Sequence, residues 1–130
     1  METILMVHVL GALFGLLAVI LGAFGAHALK KKLTAEQLHS FETGVKYQFF
    51  HGILLLVLGF NLGFTSSLER YIAYCFILGI LLFSFSIYGL VFSAAKGRKW
   101  KILGPVTPLG GIFLVLGWGL LLYSFIANML

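Results

Sequence analysis

The stretch Ile4–Ala26, ILMVHVLGALFGLLAVILGAFGA, decides the fold. No formally charged side chain interrupts it, and small residues recur at Gly11, Gly15, Ala18, Gly22 and Gly25, alternately four and three apart. That spacing draws one stripe along one face of a helix. At 1.5 Å per residue the run spans about 34 Å, enough to cross a hydrocarbon core. Because small residues let neighbouring backbones approach closely, this first helix is expected to be the one on which the others pack.

Working outward, three further apolar segments of near-spanning length follow residues 4–26, at 47–64, 71–95 and 103–127. With 61% hydrophobic residues, 10% charged residues and a mean hydropathy of +1.07, the chain is too apolar for a soluble domain of ordinary composition. The expected fold class is all-α: a polytopic membrane protein in which residues 1–130 form a single four-transmembrane-helix bundle. A cleaved signal peptide is disfavoured even though Ala26-His27-Ala28 matches a small-x-small site. No basic residue precedes the apolar run, which is longer than a signal core, and Lys30, Lys31 and Lys32 follow it.

Nine Lys and Arg against four acids give a formal charge of +5, which on a soluble surface would suggest nucleic acid. Here the cations lie in short loops between apolar runs, and no nucleic-acid partner is expected. Four fall in residues 27–46 and four in 96–102, against one in 65–70. The positive-inside rule then places both basic loops in the cytoplasm and both termini outside it, in the cytoplasmic (inner) membrane of a bacterium. Lys30, Lys31, Lys32, Lys96, Arg98, Lys99 and Lys101 become candidate contacts for anionic lipid. The first basic loop carries its own pattern. Thr34 and Gln37 are spaced as a capping box, Leu38, Phe41, Val45 and Phe49 line one face, and Glu36, His39, Ser40 and Thr43 lie away from it. Residues 35–46 therefore read as an amphipathic interfacial helix that precedes the second span and runs on into it.

Polar groups at membrane depth are costly and mark candidate sites, although they also serve as hydrogen-bonding glue between helices. The candidates cluster toward the basic end: His27, Gln48, His51, Ser84, Ser86, Tyr88, Thr107, Gly110 and Gly111. Thr107 and Pro108 read as N-cap and N1 of the last helix, leaving 103–106 non-helical and the first-turn N–H groups free to face an anion over the two glycines. On that reading, Val at positions 110 and 111 weakens anionic-lipid binding while leaving the fold inserted. His8, near the opposite end, is expected to be a satisfied packing histidine. Haem would need two inward histidines at matched depth, and only His27 and His51 come near, without an attachment motif. Cys75 is the sole cysteine, excluding an intramolecular disulfide or a two-thiol relay. No cofactor and no metal site are expected.

An enzyme is not expected either. There is no Gly-x-Ser-x-Gly elbow, and Glu2, Glu36, Glu42 and Glu69 all lie at ends or in loops, so no carboxylate is placed to orient a histidine or carry a proton at mid-membrane. The expected function is that of a non-enzymatic integral membrane protein that interacts with anionic lipid and assembles as a homo-oligomer or with another membrane protein. The alternative is a small oligomeric transporter or channel for a neutral or anionic solute, lined by Gln48, His51, Ser86 and Thr107.

Four stretches together carry a family resemblance: Gly22-Ala23-Phe24-Gly25-Ala26-His27, Phe41-Glu42-Thr43-Gly44-Val45-Lys46-Tyr47-Gln48 with His51, Ser84-Phe85-Ser86-Ile87-Tyr88, and Thr107-Pro108-Leu109-Gly110-Gly111. The chain resembles, over essentially its whole length, the YgdD/YwdK family of small bacterial inner-membrane proteins with mitochondrial relatives, classed as a domain of unknown function. The resemblance implies a four-span protein and carries no activity with it. It departs at Phe85, where a glycine is expected between the two serines.

Overall fold

The computed structural model describes residues 2–130, apart from the side chain of Ala26. Four helices, α1 (Glu2–Ala28), α2 (Ala35–Asn61), α3 (Ser67–Ala95) and α4 (Val106–Met129), are each long and apolar enough to cross a membrane. At the start of α2, Thr34 Oγ1 accepts from the Gln37 N–H at 3.1 Å and Gln37 Oε1 accepts from the Thr34 N–H at 3.0 Å, closing the capping box. From there α2 continues without a break to Asn61, so residues 35–46 and the second span form one rod.

The turn between α2 and α3 is tied down by charge. Phe64 has a left-handed backbone (φ 54°) with its ring only 5% exposed. Its N–H donates to Glu69 Oε2 at 2.9 Å and its carbonyl accepts from Arg70 at 3.2 Å. These bonds hold a conformation that a bulky residue seldom adopts unaided. At the other turn, residues Lys101–Leu103 make a single 3-10 turn, and α4 starts at Val106 with Pro105 in the cap position and no side-chain cap. Thr107 is therefore not the N-cap that its sequence suggests. It sits inside the first turn, where its hydroxyl meets Ser86 of α3 instead of its own backbone. Pro108 still falls among the first four residues, whose N–H groups have no intrahelical partner, so its missing donor costs nothing.

The helices pack as an antiparallel row in chain order: α1 on α2, α2 on α3, α3 on α4. Among the described residues no Cα of α4 comes within 8 Å of one in α1 or α2. Half of the membrane-spanning window of α3 is buried, against 22% for α1. The organising role expected of the first helix thus belongs to α3, with α1 on the outside. A small-residue stripe sets how closely a helix can be approached, not how many neighbours it has.

The α3–α4 seam is tightly meshed, with Leu114 over Gly79, Phe76 over Gly117, and the α3 backbone at Phe83 directly against Gly110. In the α1–α2 seam, the backbones meet at Gly11 and Gly52 and Phe41 covers Gly25. Two apolar clusters result: one around Val7, Phe14, Leu55, Ile72, Phe76, Ile80 and Leu114, the other around Leu33, Phe41, Ile87, Tyr88 and Val91 toward the basic end.

Candidate functional site

Between the two clusters lies a set of hydrogen bonds that crosses every helix boundary. Gln48, fully buried in α2, donates from Nε2 to the Phe14 carbonyl of α1 at 2.9 Å, and its Oε1 accepts from Tyr88 of α3 at 2.7 Å. Ser84 of α3 donates to the Gly44 carbonyl of α2 at 2.7 Å. On the opposite side of α3, Ser86 donates to its own-helix Phe83 carbonyl at 2.9 Å, so the hydrogen between Ser86 and Thr107 comes from Thr107. The alternation 84, 86, 88 explains this division. Residues 84 and 88 share a face toward α2, while 86 points about 200° away toward α4.

His51 closes the gap between α2 and α4. Its Nδ1 lies 2.7 Å from the Tyr47 carbonyl, which can only accept, so Nδ1 carries the hydrogen. Its Nε2 lies 3.0 Å from Trp118 Nε1, which can only donate, so Nε2 accepts. The ring is a neutral imidazole with both nitrogens engaged, and no lone pair remains for a base or a haem iron. Tyr47 stacks on the same ring with centroids 6.0 Å apart, Phe83 lies 4.9 Å from Tyr47, and Phe76 lies 5.6 Å from Trp118. An aromatic layer therefore fills the α2–α4 gap at mid-depth.

Above that layer, toward the basic loops, the gap opens into a cleft of about 750 Å³. Glu36, His39, Ser40 and Thr43 form one wall, Ile87, Leu90, Val91 and Ala94 the second, and Gly104, Thr107 and Pro108 the third, with Lys99 at the lip. The polar face of 35–46 thus looks into a cleft between helices, while its apolar face, with Leu38, Phe41 and Val45, packs into the second cluster.

Of the sequence candidates, Gln48, His51, Ser84, Ser86, Tyr88 and Thr107 come together in one band. His27 does not; it is exposed in the last turn of α1. Gly110 is buried against the backbone at Leu82 and Phe83, so a Val there collides with α3 and disturbs the helix packing as well as any anion contact. At Gly111 a Cβ would meet only the Phe83 ring, at 3.8 Å. The seven loop cations are all exposed at one end. His8 packs on Phe60 with centroids 4.7 Å apart, but its Nε2 is buried over Gly59 with no hydrogen-bond partner among the described residues, so it packs without being satisfied. Among those residues no three His, Cys, Asp or Glu side chains gather to share a metal. Trp118 escaped the sequence reading. An indole N–H deep in an apolar helix requires an acceptor, and that requirement was the available signal.

A family described as a protein of unknown function, DUF423, matches residues 21–111. The chain is 39% identical over 116 residues to a UPF0382 membrane protein of Staphylococcus aureus (strain bovine RF122), covering 89% of this chain and 91% of that one. It is 39% identical over 110 residues to a UPF0382 membrane protein of Staphylococcus saprophyticus, covering 85% and 88%. A UPF0382 membrane protein of Staphylococcus haemolyticus is 37% identical over 116 residues, covering 89% and 91%. No solved structure matches. With four helices fit to span a bilayer and relatives named as membrane proteins, this chain is a membrane protein belonging to the DUF423 family of unknown function.

Proposed function

We propose that the chain is a non-enzymatic protein of the bacterial inner membrane that binds the headgroup of an anionic lipid in the cleft between the start of α2, the end of α3 and the start of α4. The YgdD/YwdK resemblance fits this placement. The observation that carries the reading is the cleft itself: a polar wall faces an apolar one, with a lysine at the lip. Such a pairing suits a headgroup whose glycerol and upper acyl carbons follow it inward. Eight exposed cations crowd this end, Lys46 among them, where Glu36 and Glu42 are the opposing acids, so the local field favours an anion. On this reading the basic end is cytoplasmic, both termini are outside, and residues 35–46 lie at headgroup level.

Binding rather than conduction is favoured by the aromatic layer below the cleft, because a solute path would require Tyr47, Phe83, His51 and Trp118 to part. The neutral, doubly engaged His51 likewise offers no base to an enzyme. The outward faces of α1 and α4, with Val9, Leu16, Val115 and Leu122 exposed, leave apolar area for lipid or for further copies.

The test is native mass spectrometry of protein released from nanodiscs of phosphatidylglycerol and phosphatidylcholine. Wild type is expected to retain phosphatidylglycerol, with about fivefold lower retention in Lys99→Gln, matching about 1 kcal/mol per interfacial cation. Thr43→Leu, which puts an apolar branch into the polar wall of the cleft, is expected to reduce it further. Retention that ignores both substitutions overturns the reading.

A further inference from the structure

A second groove, of about 350 Å³, opens on the other side of α2, between it and α1. Ala18, Gly22, Phe41 and Val45 form its floor, Val19, Phe49 and Phe50 its walls, and Glu42 and Lys46 its mouth. Gly22 is not needed there for helix approach. A Cβ on it would meet only Val45 Cγ1 at 3.4 Å, an ordinary contact, whereas one on Gly11 in the same stripe would crowd the Gly52 carbonyl at 3.0 Å. The small residue at 22 therefore keeps space open instead of drawing the helices together.

We infer that this groove seats one zwitterionic aminophospholipid, its acyl chain along Val19, Gly22, Phe49 and Phe50, its phosphate on Lys46 and its ammonium on Glu42. Lining that is almost wholly apolar below the mouth suits a hydrocarbon chain and excludes a polar solute. The charges select the headgroup. Glu42 and Lys46 are exposed one helical turn apart, with Cβ atoms about 5–6 Å from each other, so their flexible side chains can reach the two charged ends of one ethanolamine headgroup. Their order also fits. Lys46 lies deeper along α2, where the phosphate joins the glycerol, and Glu42 lies one turn nearer the basic end, where the amine emerges. Past its first turn, α2 makes its side-chain hydrogen bonds among the described residues from Thr43, Gln48, His51 and Asn61, which leaves both charges available.

The groove is independent of the cleft and can be tested apart from it. The experiment is native mass spectrometry of the full chain released from nanodiscs holding equal phosphatidylethanolamine and phosphatidylglycerol. Wild type is expected to retain one phosphatidylethanolamine beside the phosphatidylglycerol of the cleft. With the cleft disabled by Lys99→Gln and Thr43→Leu, the retained lipid is expected to be phosphatidylethanolamine with about fivefold preference. Glu42→Lys is expected to reverse that preference. The double variant Glu42→Lys, Lys46→Glu keeps net charge and composition but inverts the order of the two charges, and its preference is expected to fall to none. Gly22→Leu is expected to displace the lipid. Lys99→Gln is expected to leave phosphatidylethanolamine unchanged, separating failure of the groove from failure of the cleft. Helicity and melting temperature of each variant establish that it is folded. Retention that follows the nanodisc composition once the cleft is disabled by Lys99→Gln and Thr43→Leu, or a folded charge-inverted variant that retains phosphatidylethanolamine as wild type does, overturns the proposal.

Discussion

The α3–α4 seam and the α1–α2 seam use the same device and reach opposite ends. Both are antiparallel, and both set glycines along a face at helical spacing. In α3–α4 every buried glycine meets something large or a backbone: Leu114 over Gly79, Phe76 over Gly117, the Phe83 main chain at Gly110. In α1–α2 the stripe closes tightly at Gly11 and Gly25, while a Cβ at Gly15 would meet nothing within 4 Å and one at Gly22 would barely touch Val45. A stripe of small residues therefore records only permission for close approach. What stands opposite decides whether that permission becomes a contact or a groove.

The sharpest way to break this comparison is Gly110→Val. Its side chain must displace the α3 backbone, and a loss of about 3 kcal/mol, the upper range for overpacking, is expected. Unfolding of the purified protein in increasing dodecyl sulfate measures it, and a variant as stable as wild type removes the claim that this seam is meshed. Next in size is Gln48→Leu, which keeps the volume but strands the Tyr88 hydroxyl and removes the second bond to the Phe14 carbonyl at the join between the two pairs of helices. A loss of about 2 kcal/mol is expected in the same assay, near the upper range for intramembrane hydrogen bonds taken together. The smallest effect belongs to Gly15→Ala. With open space at the Cβ, it is expected to stabilise α1 by about 0.5 kcal/mol, as a rise in melting temperature. A fall instead would place a neighbour on that face, as expected if copies of the chain assemble through α1.

Four spans, the capping box at Thr34 and the basic end were legible in the sequence because each rests on a local pattern: length, apolarity, three-residue spacing, charge count. Most members of the polar band were legible too, since depth alone makes Gln48, His51, Ser84, Ser86 and Tyr88 conspicuous. Their partners were harder to see. The Phe14 and Gly44 carbonyls that accept from Gln48 and Ser84 leave no mark in side-chain identity. Choosing α1 as the hub came from reading its stripe as a count of neighbours. The better signal was in α3, where polar residues at 84, 86 and 88 face two directions and so demand helices on two sides. Thr107 misled because Thr-Pro so often opens a helix, and only the neighbouring α3 reveals that its hydroxyl is wanted elsewhere. Phe85, where a glycine was expected, fills its space with aromatic contacts to Phe14 and Tyr88.

The unbroken course of α2 has a mechanical consequence. Its 27 residues make a rod about 40 Å long that starts beside the cleft and ends where His8 rests on Gly59. With no proline or π-bulge along it, the helix has no built-in hinge between its first turns and Gly59. The turns that wall the cleft and the glycine that carries the His8 ring therefore belong to one stiff element, so the packing at its two ends is fixed together.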